Sequence, residues 1–145
     1  MVHYNTSILI NRPVDQVFDF MTQIDNNEEL AEDVVASWKL TDGPVGLGTQ
    51  MTERVRVGLA QADLTWEITA FELNSLCTYE GDTSIGRTKT SYLFDETGGR
   101  SRVTADVYIQ LSGLYRIVKP IVKYFHARNR KRYLATIKKK LENGQ

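Results

Sequence analysis

The sequence predicts an α+β protein in which a curved antiparallel sheet packs against one long C-terminal helix. Between about residues 48 and 113, segments of alternating apolar and polar side chains are separated by glycine-containing turns. This alternation is typical of antiparallel strands with one buried face, and no helix separates the strands as a parallel sheet would require. From Leu114 to Leu141 the apolar spacing becomes helical. Because each element has one apolar side, we expect the helix to lie across the concave face of the sheet.

Seven segments show the strand pattern. They are Tyr4–Ile10, Val35–Leu40, Thr49–Val57, Ala62–Phe71, Leu76–Glu80, Arg87–Phe94 and Arg102–Leu111. The clearest hairpin signal, Gly98-Gly99, lies between the last two. After the first strand, the spacing of Val14, Val17, Phe18 and Met21 predicts a short helix, with Asn11 as a cap and Pro13 in the first turn. Glu28 to Val35 is predicted to form a second, acidic helical segment, which gives the order β-α-α-β6-α.

The terminal helix is predicted to bury one apolar side along its whole length. That side carries Leu114, Ile117, Val118, Ile121, Val122, Phe125, Tyr133, Ile137 and Leu141. Pro120 lies within this stretch, and an interior proline costs about 3 kcal/mol. We therefore expect the regular helix to begin just before Pro120, a kink at that residue being the alternative.

Length and composition indicate one domain, covering residues 1–145. Cys77 is the single cysteine, which excludes an internal disulfide framework and fits a reducing compartment. The first residues lack the basic and apolar regions of an export signal, and no apolar run approaches the ~20 residues of a membrane span. We therefore expect a cytoplasmic protein.

The net charge of zero hides an asymmetry, because the segment after Gly113 is strongly basic and Glu142 is its one acid. The simplest interpretation is a basic helix that docks on an acidic body and exposes its charged side to water. The alternative is transient contact with an anionic membrane, through Arg128, Arg130, Lys131 and Arg132. Nucleic-acid binding is not expected, because only two aromatic residues flank this cluster.

No local motif predicts a metal, a cofactor or nucleophilic catalysis. His3 and His126 are far apart in the sequence, and Cys77 has no cysteine near it. Glu53 is more informative, because strand parity places it beside Met51 and Val55 on the apolar face. A carboxyl group there needs a raised pKa or a partner. The simpler interpretation is that a bulge or the sheet edge turns Glu53 to solvent.

The order of several short motifs resembles the helix-grip superfamily of START-like and Bet v 1-like proteins, and within it the polyketide cyclase/dehydrase and lipid-transport group. The resemblance covers nearly the whole chain. Its motifs are Ile10-Asn11-Arg12-Pro13-Val14-Asp15-Gln16-Val17-Phe18, Gly46-Leu47-Gly48-Thr49, Trp66-Glu67-Ile68, Gly98-Gly99-Arg100-Ser101-Arg102-Val103 and the helix led by Pro120. The chain departs from the pattern at Asn26–Glu32, where many relatives carry a tryptophan and a proline.

The resemblance implies a seven-stranded sheet wrapped round the C-terminal helix, with a deep apolar cavity between them. Members bind lipids, sterols, quinones, hormones or aromatic polyketides, and no shared catalytic residue carries over to this chain. We therefore expect a carrier or sensor that binds one small hydrophobic molecule, without a cofactor. The alternative is an enzyme of the cyclase or dehydratase type that uses the same cavity.

The candidate ligand-binding residues lie on the predicted inner faces, where large side chains otherwise form plain core. The set is Glu53, Trp66, Ile68, Tyr79, Tyr92, Phe94, Val107, Ile121 and Phe125. Tyr79 and Tyr92 carry hydroxyls that need partners when buried, so they are expected to direct a hydrogen bond to a ligand oxygen. His126 and Asn129 are further polar candidates on the helix, although a surface position is the simpler interpretation of His126. The sequence predicts neither the ligand nor the oligomeric state.

Overall fold

The computed structural model describes residues 1–24 and 34–143, and its strands form one antiparallel sheet. The strands are β1 (Val2–Ile10), β2 (Val34–Lys39), β3 (Gln50–Val57), β4 (Ala60–Glu72), β5 (Leu76–Thr83), β6 (Gly86–Thr97) and β7 (Arg100–Leu111). Their order across the sheet is β1-β7-β6-β5-β4-β3-β2. Helix α1 spans Val14–Thr22, a short 3-10 helix spans Gly113–Arg116, and the long helix α2 spans Lys119–Glu142. The predicted class of fold is confirmed.

Most strands extend beyond their predicted ends, and β5 and β6 do so together. β5 ends at Thr83 and β6 begins at Gly86, so only Ser84 and Ile85 connect them, and Asp82 pairs with Arg87 across the two strands. The sequence pattern weakens here because Gly81 and Asp82 interrupt the apolar alternation, but ladder hydrogen bonds to the neighbouring strand continue the pairing. The predicted second helix falls almost wholly on residues 25–33, which lie outside the described residues.

Proline marks the beginning of both helices. Pro13 has extended backbone angles (φ −62°, ψ 153°) and is itself the residue before α1, so the expectation that Asn11 caps this helix is wrong. The Asn11 N–H instead donates to Glu142 Oε2 at 2.7 Å, which ties the end of β1 to the end of α2. Pro120 is the second residue of α2, as predicted, where its missing N–H has no helical acceptor to lose.

The main core lies under the second half of α2. Leu134, Ile137 and Leu141 are buried against the sheet and against α1, from which Phe18 contributes its ring. The Phe18 ring packs edge-on against Phe94, with centroids 5.0 Å apart. Each fully buried leucine or isoleucine side chain contributes about 1.5–3 kcal/mol. These contacts hold the helix on the concave face.

Most of the apolar side chains in the first half of α2 are exposed, contrary to the prediction that one apolar side is buried throughout. The exposed fractions are 57% for Ile121 and 53% for Phe125, and 78% for Ile117 just before the helix, whereas Val122 packs against a second core cluster. Successive residues of an α-helix point about 100° apart. Because Val122 faces the sheet, its neighbour Ile121 points away from it. Apolar identity alone did not predict which stripe of the helix faces inward.

Candidate ligand-binding site

A cavity of about 300 Å³ lies between the middle of α2 and the inner faces of β3 to β6. Its wall is formed by Met21, Val34, Met51, Glu53, Val55, Leu64, Trp66, Tyr79, Thr83, Ser84, Ile85, Thr90, Tyr92, His126, Asn129, Arg130 and Tyr133. Ser84 and Asn129 are exposed, so the cavity reaches solvent between the β5–β6 turn and α2. One water occupies about 30 Å³, and the space therefore holds on the order of ten non-hydrogen atoms.

Strand and helix periodicity bring these side chains together. Alternate residues of a strand share one face, and this rule places Met51, Glu53 and Val55 of β3 in the same wall. On β4 the indole of Trp66 lies over Gly81 of β5. A Cβ atom at Gly81 would be only 2.8 Å from the Trp66 ring, so the glycine provides the room for the indole.

Arg130 is the central polar residue of the cavity. Its Nη1 donates to the Tyr92 hydroxyl at 2.6 Å. Its guanidinium carbon lies 5.9 Å from the centre of the Tyr92 ring and 5.4 Å from that of Tyr133. Burial acts against the charge, but the phenol oxygens of Tyr92, Tyr4 and Tyr133 stabilise it, and the pKa of Arg130 stays above its usual value. Arg130 is therefore a cation inside the cavity.

Burial also keeps the surrounding phenols protonated. It raises the pKa of Tyr92, and it raises those of Tyr79 and Tyr133 well above the usual value of a tyrosine. Desolvation of the phenolate is the largest cause in each case. At neutral pH these side chains consequently act as hydroxyl donors and acceptors.

Three buried polar atoms on the cavity wall have no hydrogen-bond partner in the described parts of the chain. They are Trp66 Nε1, Thr90 Oγ1 and Arg130 Nε. Two of them are N–H donors, and an unmade hydrogen bond at a buried donor costs about 1–3 kcal/mol. Their position on a cavity wall means that a bound molecule can supply the missing acceptors.

A second polar cluster joins β1 to α2. The Tyr4 hydroxyl contacts His126 Nδ1 and donates to the His126 carbonyl oxygen at 3.2 Å. Burial lowers the pKa of His126 to about 4, with a smaller effect from the Arg130 charge. Burial raises the pKa of Tyr4 to about 12. His126 is thus a neutral imidazole at pH 7, and the interpretation of His126 as a surface residue is wrong.

Glu53 faces the cavity. Its register on β3 is regular, with Ser37 opposite on β2 and Leu64 opposite on β4. The irregularities of the sheet lie elsewhere, between Val34 and Ala36 and between Ile68 and Ala70. The simpler interpretation, in which a bulge turns Glu53 to solvent, is therefore wrong, and strand parity was the correct guide.

The structure brings together four of the nine predicted ligand-binding residues: Glu53, Trp66, Tyr79 and Tyr92. Ile68 and Phe94 are instead buried in the main core, and Val107 is buried in the second core cluster. Ile121 and Phe125 are exposed on α2. Ile68, Phe94 and Val107 have the predicted inward orientation, but they pack against other side chains in the core instead of lining the cavity. Ile121 and Phe125 lie on a side of α2 that faces away from the cavity.

Arg130 is the residue that sequence reasoning placed wrongly, in the basic surface cluster. Arg128, Lys131 and Arg132 are exposed as expected, whereas Arg130 enters the cavity. The signal was helical spacing, since Arg130 precedes Leu134 by four residues and Ile137 by seven. Because Arg130 lies within a run of basic residues, the sequence analysis assigned it to the surface. Thr90 and Tyr133 were also missed as cavity residues. Each lies on a face with apolar neighbours, and the sequence pattern therefore indicated only a packed core at these positions.

The architecture and the cavity define a helix-grip protein with an internal ligand-sized space. The chain matches the family described as polyketide cyclase / dehydrase and lipid transport over residues 1–142, and it therefore belongs to this family. This confirms the resemblance drawn from the sequence motifs. No curated protein has a significant match to the sequence.

Solved structures share the fold at low sequence identity. TTHA0849 from Thermus thermophilus superposes with a TM-score of 0.82 at 11% identity, covering 99% of this chain and 100% of that one. A START superfamily protein from Mycobacterium smegmatis has a TM-score of 0.76 at 11% identity, covering 99% of both chains. The di-domain ARO/CYC StfQ of the steffimycin biosynthetic pathway has a TM-score of 0.80 at 10% identity, with 94% of this chain matching 49% of that one. At such low sequence identity, these matches show only that the fold is shared.

The described residues contain no helix long and apolar enough to span a membrane.

The buried His126 predicts that acid weakens the fold. Its pKa is about 4 in the folded protein and 6.5 in the unfolded chain, so between pH 7 and pH 5 only the unfolded chain gains the proton. We expect the free energy of unfolding to fall by about 2 kcal/mol over this interval, as measured by urea denaturation. His126→Asn should abolish most of the fall. His3→Gln, which alters the other histidine of the sequence, should retain it. An equal fall in all three proteins would contradict the assignment to His126.

Proposed function

We propose that this protein binds one small hydrophobic molecule between the sheet and α2, as a carrier or sensor. The cavity of about 300 Å³ is the observation that supports the proposal. Its wall combines apolar side chains, including Met51, Val55 and Leu64, with a few polar groups, a composition typical of ligand sites. Removal of apolar ligand surface from water supplies about 25 cal/mol per Å². The polar groups then fix the orientation of the ligand.

Filling the cavity should abolish binding without unfolding the protein. Val55→Phe places an aromatic ring in the open space, and we expect the affinity for naphthol, an uncharged aromatic probe, to fall at least ~10-fold by calorimetric titration. Leu93→Phe makes a comparable enlargement on the outer face of β6, where Leu93 is exposed, and should leave the affinity unchanged. Equal binding by both variants would show that the probe does not enter this cavity. Native mass spectrometry of the purified protein would identify a retained natural ligand.

A cyclase or dehydratase reaction is the second candidate function. The supporting observation is that three groups able to move protons, Glu53, Tyr92 and His126, line the same cavity. Holding a flexible substrate in a folded conformation would contribute to catalysis, and a carboxyl or phenol would then transfer a proton at the reacting carbon.

The two candidates differ in their response to Glu53→Gln and Tyr92→Phe. A carrier should keep its ligand affinity within a few-fold in both variants, because the apolar contacts remain. An enzyme should lose turnover by ~100-fold or more, the usual contribution of a general acid or base. Conversion of linear polyketide analogues, followed by mass spectrometry, measures the second outcome. Absence of any conversion by the unsubstituted protein would argue against the enzyme.

We further propose that the exposed first half of α2 contacts an anionic membrane surface. The exposed apolar residues of this half and of the segment before it are Leu114, Ile117, Ile121, Tyr124 and Phe125, and the exposed basic residues include Arg116, Lys119, Lys123 and Arg128. Apolar side chains flanked by cations match the interface of an anionic bilayer. The basic set differs from the sequence prediction, because Arg130 belongs to the cavity.

Vesicle sedimentation tests the membrane proposal. We expect the protein to bind vesicles that contain phosphatidylglycerol more tightly than vesicles of phosphatidylcholine alone, and to lose this preference as salt is raised, because surface charges are screened. Ile121→Ser combined with Phe125→Ser should weaken the binding, and Leu93→Ser on the sheet should not. Binding that is insensitive to salt, or equal for both lipids, would refute the proposal.

We also propose that residues 1–145 form one domain and that the protein is cytoplasmic. One continuous hydrogen-bonded sheet supports the single domain. Cys77 is a buried free thiol, and burial raises its pKa to about 11, so it is an unreactive core residue compatible with a reducing compartment.

A further inference from the structure

Hydrogen-bond donors from both the sheet and α2 line the cavity. Arg130 Nε and Trp66 Nε1 are buried N–H groups without acceptors among residues 1–24 and 34–143. The Tyr92 hydroxyl accepts a hydrogen bond from Arg130, so its own proton is available for donation. Buried donors that lack acceptors are uncommon in folded proteins. Because all three donors line the same cavity, we expect the ligand to contribute acceptor atoms.

The guanidinium of Arg130 keeps donor capacity toward the ligand. Nη1 donates to Tyr92, and the Tyr4 hydroxyl also stabilises the cation, whereas Nε has no acceptor in the described parts of the chain. Nε–H and one N–H of Nη2 point in parallel on the same side of a guanidinium, which is the geometry that binds the two oxygens of a carboxylate. The aromatic faces of Tyr92 and Tyr133 hold the plane of this group in position.

The positive charge of Arg130 has no ion-pair partner in the part of the chain that the structure describes. The ion pairs found there are His3–Asp106, Arg54–Asp63, Arg87–Glu80, Arg87–Asp82 and Lys138–Glu142. The phenols around Arg130 are neutral at pH 7, so they solvate its charge without cancelling it. The Glu53 charge helps to raise the pKa of Tyr92 and of Tyr133, but none of these ion pairs joins Glu53 to Arg130. A buried charge is normally paired, because the cost of its desolvation is large. An anionic ligand would complete the pair.

We infer that the natural ligand is an amphiphile with a carboxylate head, bound by Arg130 with Trp66 and Tyr92 as further donors. This inference rests on the proposed ligand-binding function and specifies its chemistry. The apolar body of the ligand lies against other residues of the wall, among them Val55 and Leu64. A volume for on the order of ten non-hydrogen atoms corresponds to a medium-chain fatty acid or a small aromatic acid.

Calorimetric titration with octanoate and with octanol tests the head group. The two probes share the apolar chain and differ in the charge of the head. We expect the unsubstituted protein to bind octanoate at least ~10-fold more tightly than octanol. Arg130→Met, which keeps an apolar chain of similar length, should remove this preference and leave octanol binding within a few-fold. Arg132→Met removes the same charge from the exposed face of α2 and should preserve the preference.

A role that is only structural would give a different result. Arg130→Met would then weaken both probes equally, and that outcome overturns the inference. Equal binding of octanoate and octanol by the unsubstituted protein would overturn the carboxylate inference and leave the proposed hydrophobic binding intact. If the protein bound neither octanoate nor octanol, both this inference and the proposed hydrophobic binding on which it rests would be overturned. Trp66→Phe deletes one hydrogen-bond donor but keeps an aromatic ring, so it should weaken the binding of octanoate more than the binding of octanol. If octanol binding were weakened more, Trp66 would not belong to the head-group site.

Discussion

The placement of the Arg130 cation inside the protein is the interaction on which the geometry of the cavity depends. Removing a charge from water costs several kcal/mol unless other groups compensate it. Here Tyr92 accepts one hydrogen bond, and the rings of Tyr92 and Tyr133 lie beside the guanidinium. A cation over an aromatic face gains about 0.5–2 kcal/mol. Arg130 Nε and Trp66 Nε1 remain on the cavity wall without acceptors in the described parts of the chain.

Helix α2 has three consecutive regions with different surroundings. Its last third is anchored by the buried side chains of Leu134, Ile137 and Leu141 and by the contact between Glu142 and Asn11. Its middle part directs polar and aromatic residues into the cavity, and its first part exposes apolar side chains next to basic ones. Rigid anchoring at one end thus positions polar groups at the centre. This arrangement places the cavity next to the surface that we propose for membrane contact.

The sheet side of the site follows mainly from alternation. Because every second residue of a strand shares a face, the inward positions of Glu53, Trp66, Tyr79 and Tyr92 followed from strand parity. The same parity also turned Ile68 and Phe94 inward, but α1 and the end of α2 cover that end of the face with Phe18 and Leu134. Orientation was therefore predictable, whereas the boundary between filled core and open cavity was not. That boundary depends on where the helices pack.

The amino-acid sequence alone was enough to predict the class of fold, the succession of strands along the chain, the start of α2 just before Pro120 and the inward face of strands such as β3, β6 and β7, because these features depend on local periodicity and backbone chemistry. In β2 the alternation indicated the wrong face, because Ser37 lies opposite the inward Glu53 whereas Trp38 lies opposite Thr52. Packing in three dimensions established which stripe of α2 faces the sheet, and with it the exposure of Ile121 and Phe125 and the entry of Arg130 into the cavity. Local pattern could not predict this, because rotation of a helix about its axis is set by the sum of its contacts. In α2 the anchoring contacts lie at the far end, and the tyrosines that stabilise a buried cation come from distant parts of the chain as well as from α2 itself.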